Sequence, residues 1–360
     1  MDPKTQMPKF FSDAALEVLH FYCRLRVAVR RKNPLYGVMR DYRRELYERA
    51  WRDAAQHLGA DLTDLGGDFY EISANEKKVK VYQNYTSLDN MVNILLALDK
   101  SIVVQLLLQY EIPMANQFKF DYRDLPAAAE YFGKMKKPVV VKPADGTAGG
   151  HGVTANINSL FALTIAAANA RVCCPRILIE EQIEGDNYRL LYVDGDLIDC
   201  VIRQPPNLVG DGTSTIRQLV RDENRNRFEV GLEASQVPLS IDLDMRHTLS
   251  LQGLKLSSVP SAGERVKVKH VVGENRRDDN RTASDKFCDS TVELGRRIVS
   301  AIGLRVAGID IITKDPSVPL SDSGGVLLEV NAPPGFYYHY HKQDGRTPIA
   351  NEILRRGLAP

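Results

Sequence analysis

Apolar residues return at helical spacing in two stretches near the start of the chain, residues 14–29 and residues 42–57. Side chains three or four positions apart lie on one face of a helix, so this pattern predicts two amphipathic helices. Short strand-like runs follow near residues 69–72 and 79–82, and an apolar helix is expected near residues 88–98. The first hundred residues therefore predict a small α/β cap.

The next part of the chain alternates helices and strands around a glycine-rich turn. The pattern predicts a helix over residues 100–110 and a second helix that Asp124 caps. An apolar run at residues 138–142 is typical of a buried strand. After the turn, a helix is expected over residues 159–170 and a strand over residues 176–180. The result is a strand, a glycine loop, a helix and a strand.

A hairpin signal marks the middle of the chain. The sequence DGD at residues 194–196 separates strand-like residues 189–193 from residues 197–203, so we expect an antiparallel pair. Residues 207–285 are polar and rich in Gly, Asp, Arg and Asn, which predicts mostly loop with one helix near residues 215–223.

Two strands with a long polar connection complete the pattern. A strong helix is expected over residues 284–302, followed by strands over residues 306–312 and 325–330. A chain of 360 residues is long enough to form two or three separate cores. The predicted fold class is α/β, built from α+β subdomains.

Composition and charge narrow the class of protein. Hydrophobic residues make up 44% and charged residues 26% of the chain, which is typical of a globular protein. With 47 basic against 46 acidic residues, the net charge is +1, so no global attraction to nucleic acid or to an anionic membrane is expected. One basic cluster near the first helix has the pattern of a solvated helix face: Arg24, Arg26, Arg30, Arg31 and Lys32.

Targeting and redox signals favour the cytoplasm. The start of the chain lacks the apolar core of a signal peptide, and no run approaches the roughly eighteen apolar residues of a membrane span. Five cysteines without a C-x-x-C pair favour a reducing compartment over a disulfide framework. We therefore expect a cytoplasmic protein with neither nucleic acid nor membrane as a partner.

The first chemical motif is KPVVVKPADGTAGGHGVT, residues 137–154. Glycines such as Gly149, Gly150 and Gly152 allow a backbone to approach an anion closely, and Lys142 adds a positive charge beside them. Phosphate is the natural ligand of such a loop. A glycine-rich hairpin without any ligand explains the same residues equally well. The motif matches neither a Walker A loop nor a dinucleotide fingerprint.

The second motif is ILIEEQIEGDNYR, residues 177–189. The strand delivers Glu180 and Glu181 into a segment that turns at Gly185. Carboxylates at the end of a strand can accept hydrogen bonds from an adenine amino group or from ribose hydroxyls, while neighbouring backbone groups read the base edge. Two solvated glutamates are the alternative.

The third motif places polar residues in otherwise apolar strands. Asp310 lies in GIDII, and Glu329 and Asn331 lie in GGVLLEVNAPPG. Burying three oxygen-bearing side chains without a partner would be costly, and a hard cation removes that cost. Mg²⁺ prefers octahedral oxygen coordination and takes several ligands from phosphate and water, so two carboxylates and one amide are a sufficient protein share.

These motifs occur in the order found in ATP-grasp ligases, beginning with the lysine of LALDK, Lys100. Over residues 88–345 the chain resembles that superfamily. It is most similar to the ATP-grasp module of cyanophycin synthetases and of bifunctional glutathione synthetases. The detailed similarity lies in three segments: NYRLLYVDGDLIDCVIRQPPNLVGDGTSTIRQLV, SSVPSAGERVKV and EVNAPPGF.

The resemblance implies a role for each matched residue. Lys100 and Lys142 correspond to phosphate-contacting lysines, and Glu180 through Ile183 to the adenine-binding linker. Asn187 stands where family members commonly carry an acid that holds the ribose, which puts the ribose contact in question. The remaining roles are metal ligation and contact with the transferred phosphate and acyl substrate: Asp310, Glu329 and Asn331 for the former, Arg189 and Arg203 for the latter.

The resemblance also implies an ATP-grasp fold with two subdomains that clamp ATP. We expect a cap over residues 1–98 and an ATP-grasp domain over residues 99–360. Within that domain a nucleotide lid spans about residues 124–185, and a catalytic subdomain spans about residues 186–360. A mobile flap over the phosphates would come from residues 146–152.

The implied reaction uses ATP with Mg²⁺, for which Mn²⁺ could substitute. ATP phosphorylates a carboxylate, an amine attacks the acyl phosphate, and ADP and phosphate leave. The expected partners are small amino-acid or peptide-like carboxylates and amines, with a homodimer as the default assembly. Because no Mur-ligase-like half follows, cyanophycin polymerisation is not expected.

Two other functions stay open at this point. An ATP-grasp kinase would pass phosphate to a stable acceptor, and a non-catalytic regulator would bind nucleotide alone. Three histidines are also left open: His151 is either catalytic or solvated, and His339 and His341 face either the amine substrate or a packed aromatic segment.

Overall fold

The computed structural model describes residues 13–31, 35–144 and 150–359. Its N-terminal part consists of two long helices and an antiparallel sheet with strand order β1-β2-β3-β4, here called the cap sheet. The elements are α1 (Asp13–Arg31), α2 (Leu35–Leu58), β1 (Asp61–Gly66), β2 (Phe69–Ala74), β3 (Lys77–Tyr82) and β4 (Tyr85–Thr86).

A second antiparallel sheet, the middle sheet, has the order β5-β8-β6-β7. Two helices precede it, and two more cover it. The elements are α3 (Met91–Leu98), α4 (Lys100–Leu107), β5 (Gln117–Asp121), α5 (Leu125–Lys134), β6 (Val139–Pro143), β7 (Thr154–Ile157), α6 (Leu160–Arg171) and β8 (Arg176–Glu181). Ser159 caps α6 by accepting a hydrogen bond from the Ala162 amide at 3.2 Å, which fixes where the helix begins.

The main sheet has five antiparallel strands in the order β13-β10-β9-β14-β15. The tight turn at residues 194–196 joins β9 to β10, as the sequence predicts. The elements are β9 (Asp186–Val193), β10 (Asp196–Arg203), β13 (Asn280–Thr282), α9 (Asp289–Ile302), β14 (Val306–Thr313), β15 (Val326–Asn331), α10 (Tyr337–Tyr340) and α11 (Ile349–Gly357).

Residues 207–275 form an inserted unit between β10 and β13, where the sequence pattern predicts mostly loop. The predicted helix is confirmed by the helix over Ile216–Val230, and much of the segment lies outside helices and strands, but it also has its own hydrophobic core around Ile216, Met245 and Val266, which the pattern does not predict. Its apolar residues are spread over short elements, so no single window shows a strong period. The elements are β11 (Asn207–Val209), α7 (Ile216–Val230), α8 (Leu243–Leu251) and β12 (Arg265–Lys267).

The two faces of the main sheet are buried differently. On one face, Leu190, Tyr192 and Ile309 pack against α3, α4 and α9. On the other face, Leu191 and Val193 pack against α2, the cap sheet and α11. This second face is apolar only at one end of the strands. At the other end, β9 carries Asn187 and Arg189 on the same face, because alternate residues of a strand share a face.

Most of the predicted helices and strands are confirmed, whereas the predicted cap of α5 is not. Asp124 precedes α5, but its side chain makes no capping hydrogen bond, and a proline lies in the first turn instead.

Within the described residues, no single helix is both long and apolar enough to cross a membrane. Helix α3 and residues 100–110 are long and apolar enough only when taken together, and that pair is bent by 98°.

Candidate active site

A cleft of about 910 Å³ is lined by strands of both the middle sheet and the main sheet. Most of the sequence-predicted site residues meet there: Lys142, Gly150, Glu180, Glu181, Ile183, Asn187, Arg189, Arg203, Asp310, Glu329 and Asn331. Lys100 lies in a smaller neighbouring pocket, which Glu180 and Glu329 also line. Gly152 is not part of the cleft lining in the described chain, and Gly149 lies outside the described residues.

Strand register in the main sheet aligns the polar residues in one row. Asp310 on β14 is directly opposite Arg189 on β9 and opposite Glu329 on β15. Directly opposed residues point to the same face of a sheet, so these three side chains converge. Asn331, two residues after Glu329, shares that face, as its spacing in the sequence predicts.

Asp310 is buried between two arginines. Its Oδ2 accepts hydrogen bonds from Arg189 Nη2 at 2.9 Å and from Arg203 Nη2 at 2.7 Å, and Arg189 Nε donates to its Oδ1. Burial alone would raise the pKa of the Asp310 carboxyl, but the two guanidinium groups outweigh burial and hold the pKa below its ordinary value. Asp310 is therefore ionised at neutral pH.

Gly308 leaves room for this contact. A Cβ at Gly308 would lie 3.0 Å from Arg189 Cδ and 3.1 Å from Pro334 Cβ, which is too close for comfortable packing. The glycine of the GIDII motif therefore serves the close approach of the arginine side chain and of the loop that follows β15.

Glu329 and Asn331 extend the row towards α4. Glu329 Oε2 lies 3.3 Å from Lys100 Nζ, and Lys100 stands at the first turn of α4 because Asp99 caps that helix. In the amide orientation that satisfies its neighbours, Asn331 donates to Glu329 Oε1 at 3.2 Å and accepts from Arg189 Nη2 at 3.3 Å.

The middle sheet contributes a second buried ion pair. Lys142 Nζ on β6 lies 2.5 Å from Glu180 Oε1 on β8, with side-chain exposures of 7% and 9%. Register explains the contact: Val140 is opposite Glu180, so Lys142 is its diagonal neighbour on the same face. The Glu180 carboxylate is thus committed to a lysine, whereas Glu181 pairs with Lys137 at 3.0 Å.

Asn187 is committed to an arginine. Its Oδ1 accepts from Arg203 Nε at 2.8 Å and also from Arg203 Nη2, so it orients the guanidinium that reaches Asp310. The two residues are directly opposite each other on β9 and β10. The side-chain amide nitrogen of Asn187 makes no hydrogen bond to another described residue.

The inserted unit approaches the cleft beside β7. Asp244 on α8 accepts from the backbone amides of Ala155 at 3.2 Å, His270 at 3.1 Å and Val271 at 3.3 Å. Burial raises the pKa of Asp244 to about 6 and lowers the pKa of His270 to about 4, so His270 is neutral at pH 7. Both His270 and Val271 line the cleft.

Comparisons with known proteins agree with this geometry. A cyanophycin synthetase from Trichormus variabilis is 31% identical over 313 residues, which cover 82% of this chain and 34% of the relative. The glutathione biosynthesis bifunctional protein GshAB from Streptococcus agalactiae is 27% identical over 308 residues, covering 81% of this chain and 41% of the relative. The chain thus spans about a third to two fifths of the length of these relatives, and no family model matches it.

Comparison with solved structures agrees with the comparison of sequences. The crystal structure of a bifunctional glutathione synthetase from Pasteurella multocida superimposes with a TM-score of 0.52 at 20% identity, covering 83% of this chain and 41% of that one. Together, the relatives and the fold support an ATP-grasp module in this chain. Its α+β architecture of a middle sheet facing a main sheet is the ATP-grasp fold that the motifs predict.

The ATP-grasp residues fit a magnesium ion by their donor chemistry. Among the described residues no group of three or more His, Cys, Asp and Glu side chains could hold a metal. Two opposed carboxylates, Asp310 and Glu329, with the Asn331 amide beside them, are nevertheless a typical share for Mg²⁺, since water and phosphate supply its other ligands. Asp310 would have to share its oxygens with Arg189 and Arg203.

The three histidines left open by the sequence occupy different positions. His151 lines the cleft. His339 is fully buried, and its Nδ1 lies 2.7 Å from Asp199 Oδ2. His341 stacks on the ring of Tyr337 at 5.0 Å between ring centroids. Neither His339 nor His341 is part of the lining of the cleft in the described chain.

Sequence reasoning missed one wall of the cleft. Helix α2 contributes Tyr36, Arg40, Arg43, Arg44 and Tyr47, and the inserted unit contributes residues such as Lys267. Four of these, Tyr36, Arg40, Arg43 and Tyr47, are spaced by four, three and four positions, which is a signal for one helix face, although it does not say what that face contacts. Their contribution depends on how the cap packs on the main sheet.

Proposed function

We propose that this ATP-grasp chain is an ATP- and Mg²⁺-dependent ligase that joins a carboxylate to an amine through an acyl phosphate. The substrates we propose are small amino acids or peptides. The observation that carries the proposal is the convergence in one cleft of two carboxylates and an amide on the main sheet with cations from both sheets. The relatives named cyanophycin synthetase and GshAB support the same class of reaction.

The pairing of charges in the cleft supports binding of a phosphorylated ligand with its metal. Lys100 pairs with Glu329, Lys142 pairs with Glu180, and both arginines pair with Asp310. A metal nucleotide brings both signs of charge, so its phosphates can take the lysines while the carboxylates take the metal. Neither set of charges is then left without a partner.

The two arginines retain donors for the reacting groups. In the described chain, Nη1 of Arg189 and Nη1 of Arg203 donate to no protein acceptor, although both side chains are held by Asp310. Each can therefore donate to a transferring phosphoryl group or to a substrate carboxylate without leaving its place. Mg²⁺ held by Asp310, Glu329 and Asn331 would neutralise the phosphate oxygens.

Water exclusion is the second requirement, because an acyl phosphate hydrolyses. We propose that water is excluded when the lid of residues 124–185 closes on the catalytic subdomain of residues 186–360. The inserted unit is tied to the lid, because Asp244 accepts a hydrogen bond from the backbone of β7. We propose Glu180 to Ile183 as the adenine linker, with the backbone as its main reader, since the Glu180 carboxylate is paired with Lys142.

Nucleotide binding provides the first test. Mg-ATP at about a hundred times its Kd should stabilise the folded chain by about 2.7 kcal/mol and raise the thermal midpoint, because it binds only the folded state. A screen of paired amino acids and short peptides for ADP release, with mass detection of the product, then tests the reaction. If millimolar Mg-ATP leaves the thermal midpoint unchanged, the proposal that the chain binds ATP is wrong. A stable phosphorylated product in place of an amide would identify a kinase.

A further inference from the structure

Helix α2 presents one polar face to the cleft. Tyr36, Arg40, Arg43, Arg44 and Tyr47 line it, and so does the turn at Gln83 and Asn84. We call this surface the α2 wall. It comes from the part of the chain that precedes the nucleotide-binding motifs, so no motif of the sequence assigns it a ligand.

The α2 wall adjoins the loop that follows the proposed metal ligands. Asn84 Nδ2 donates to the carbonyl oxygens of Pro333 and Pro334, each at 3.2 Å. The ring of Tyr47 packs against Phe336 with 5.3 Å between centroids. The wall therefore lies beside the end of β15, whereas the proposed adenine linker belongs to the end of β8 in the other sheet.

The arginines of this helix differ in how their charge is compensated. Arg44 forms two hydrogen bonds to Asp68, at 2.6 and 2.7 Å. Arg43 has no carboxylate within ion-pair distance in the described chain, and its only hydrogen bond is from Nη1 to the carbonyl oxygen of Gln236 at 3.1 Å. Arg40 comes no closer than 3.9 Å to Asp41.

Arg43 also loses part of its hydration. Burial lowers the pKa of Arg43; the nearby Tyr47 hydroxyl acts against this shift, and Arg40 adds to it. A guanidinium that is half-buried without an anion is in an unfavourable environment, which an anionic ligand would relieve. The planar fork of arginine suits a carboxylate in particular, because two parallel N–H donors match its two oxygens.

We infer that Arg43, with Arg40 beside it, binds a free carboxylate of the substrate, distinct from the carboxylate that is phosphorylated. The inference rests on the proposed ligase function and narrows its substrate class. At the α2 wall the cleft takes an amino acid or a peptide whose own carboxylate is unblocked. Arg43 thereby determines specificity and takes no part in the chemical step.

The test compares free acids with their amides. For each amino acid or dipeptide that supports ADP release, the carboxylate that is not phosphorylated is converted to a carboxamide, and acid and amide are compared in wild type, Arg43→Gln and Arg43→Lys. Arg52→Gln is the matched control, since Arg52 lies on the same helix, outside the cleft lining, and pairs with Glu48 at 2.9 Å. Amidation should raise the wild-type KM by about tenfold, the loss expected for one charge-assisted contact.

The variants should separate charge recognition from packing. Arg43→Gln should raise KM for the free acid by about the same tenfold factor and remove the difference between acid and amide, leaving KM for ATP unchanged. Arg43→Lys should restore part of the difference. Equal KM values for acid and amide in the wild type, or an equal loss for both in Arg43→Gln, would overturn the inference.

A second measurement keeps this result separate from the proposed reaction. If no pair supports ADP release, succinate is titrated calorimetrically into wild type and Arg43→Gln in the presence of Mg-ATP. Weaker succinate binding in Arg43→Gln supports the carboxylate site, and equal or absent binding in both overturns it. A chain that binds no nucleotide fails the proposed function, and succinate titrated alone still decides the role of Arg43.

Discussion

Two carboxylates on one face of the main sheet are buried to nearly the same extent, but we assign them different roles. Asp310 lies between Arg189 and Arg203, and Asp199 on β10 lies between His339 and Lys342. Side-chain exposure is 6% for Asp310 and 3% for Asp199. Burial alone therefore does not distinguish a candidate catalytic carboxylate from a structural one.

The difference lies in the donors of their partners. Lys342 Nζ donates to both carboxylate oxygens of Asp199 and to Thr347 Oγ1, and the cluster is buried. Both arginines at Asp310 keep Nη1 without a protein acceptor in the described chain, and they face a cleft. Spare donors that reach a cavity indicate a ligand, whereas saturated donors indicate stability.

The largest effect is expected at the Asp310 cluster. Glu329→Gln keeps the size of the side chain and removes one charge from the proposed metal site, so turnover should fall by about a hundredfold or more while the fold persists. ADP release at limiting Mg²⁺ measures the loss, and excess Mg²⁺ or Mn²⁺ should restore part of it.

Asp310→Asn should behave in the same way. The double variant should lose much less than the product of the two single losses, because both residues act on one cluster. Near-normal amide formation by Glu329→Gln at limiting Mg²⁺ would show that the metal assignment is wrong.

The next effect concerns the Asp199 cluster, and it should appear in stability instead of turnover. Asp199→Ala leaves Lys342 buried without a counter-ion, which should lower the free energy of unfolding by roughly 3 kcal/mol in urea. Nucleotide affinity should persist. Asp196→Ala is the matched control on the same strand, because its side chain is 56% exposed and its ion pairs are at the surface.

The pH dependence of stability gives the same variant a second readout. Burial would raise the pKa of Asp199, but His339 and Lys342 outweigh it and lower the pKa, while burial lowers the pKa of His339. Both groups bind protons more weakly in the folded than in the unfolded chain. Stability should therefore fall as pH decreases, first below about 6.5 and again below about 4, and Asp199→Ala should flatten the lower step.

The smallest effect is expected at Lys142. Lys142→Met should weaken Mg-ATP binding about tenfold and also destabilise the fold, because Glu180 then stays buried without a cation. Adding Glu180→Gln should recover stability without recovering nucleotide affinity. Lys137→Met, at the exposed pair with Glu181, is the control. If the double variant binds Mg-ATP normally, Lys142 serves only the ion pair.

The sequence predicts the polar row of the main sheet because the rule behind it is local. Period-two spacing puts Glu329 and Asn331 on one face, and an isolated polar residue in GIDII marks Asp310. The structure confirms that these side chains converge. The same logic predicts Lys142 at the end of its strand, although it does not show that Glu180 is its partner.

Long-range pairing is what the sequence does not show. Asn187 meets Arg203 only through the register of β9 and β10, and Arg43 reaches the cleft only because α2 packs on the distant end of the main sheet. Three-residue strands such as β12 and β13 leave no periodic signal. Asp199 is likewise unremarkable in the sequence, since its partners lie 140 and 143 residues away.

The apolar end of the main sheet has a consequence for synthesis of the chain. Leu191 and Val193 are covered partly by α2, which precedes them in the chain. Ile353 and Leu354 of α11 complete the cover, and they are translated about 160 residues after Val193. Until α11 has emerged from the ribosome, the nascent chain exposes an apolar surface on the hairpin of β9 and β10. Chaperone binding during translation should concentrate there, and a chain interrupted before α11 should be prone to aggregate.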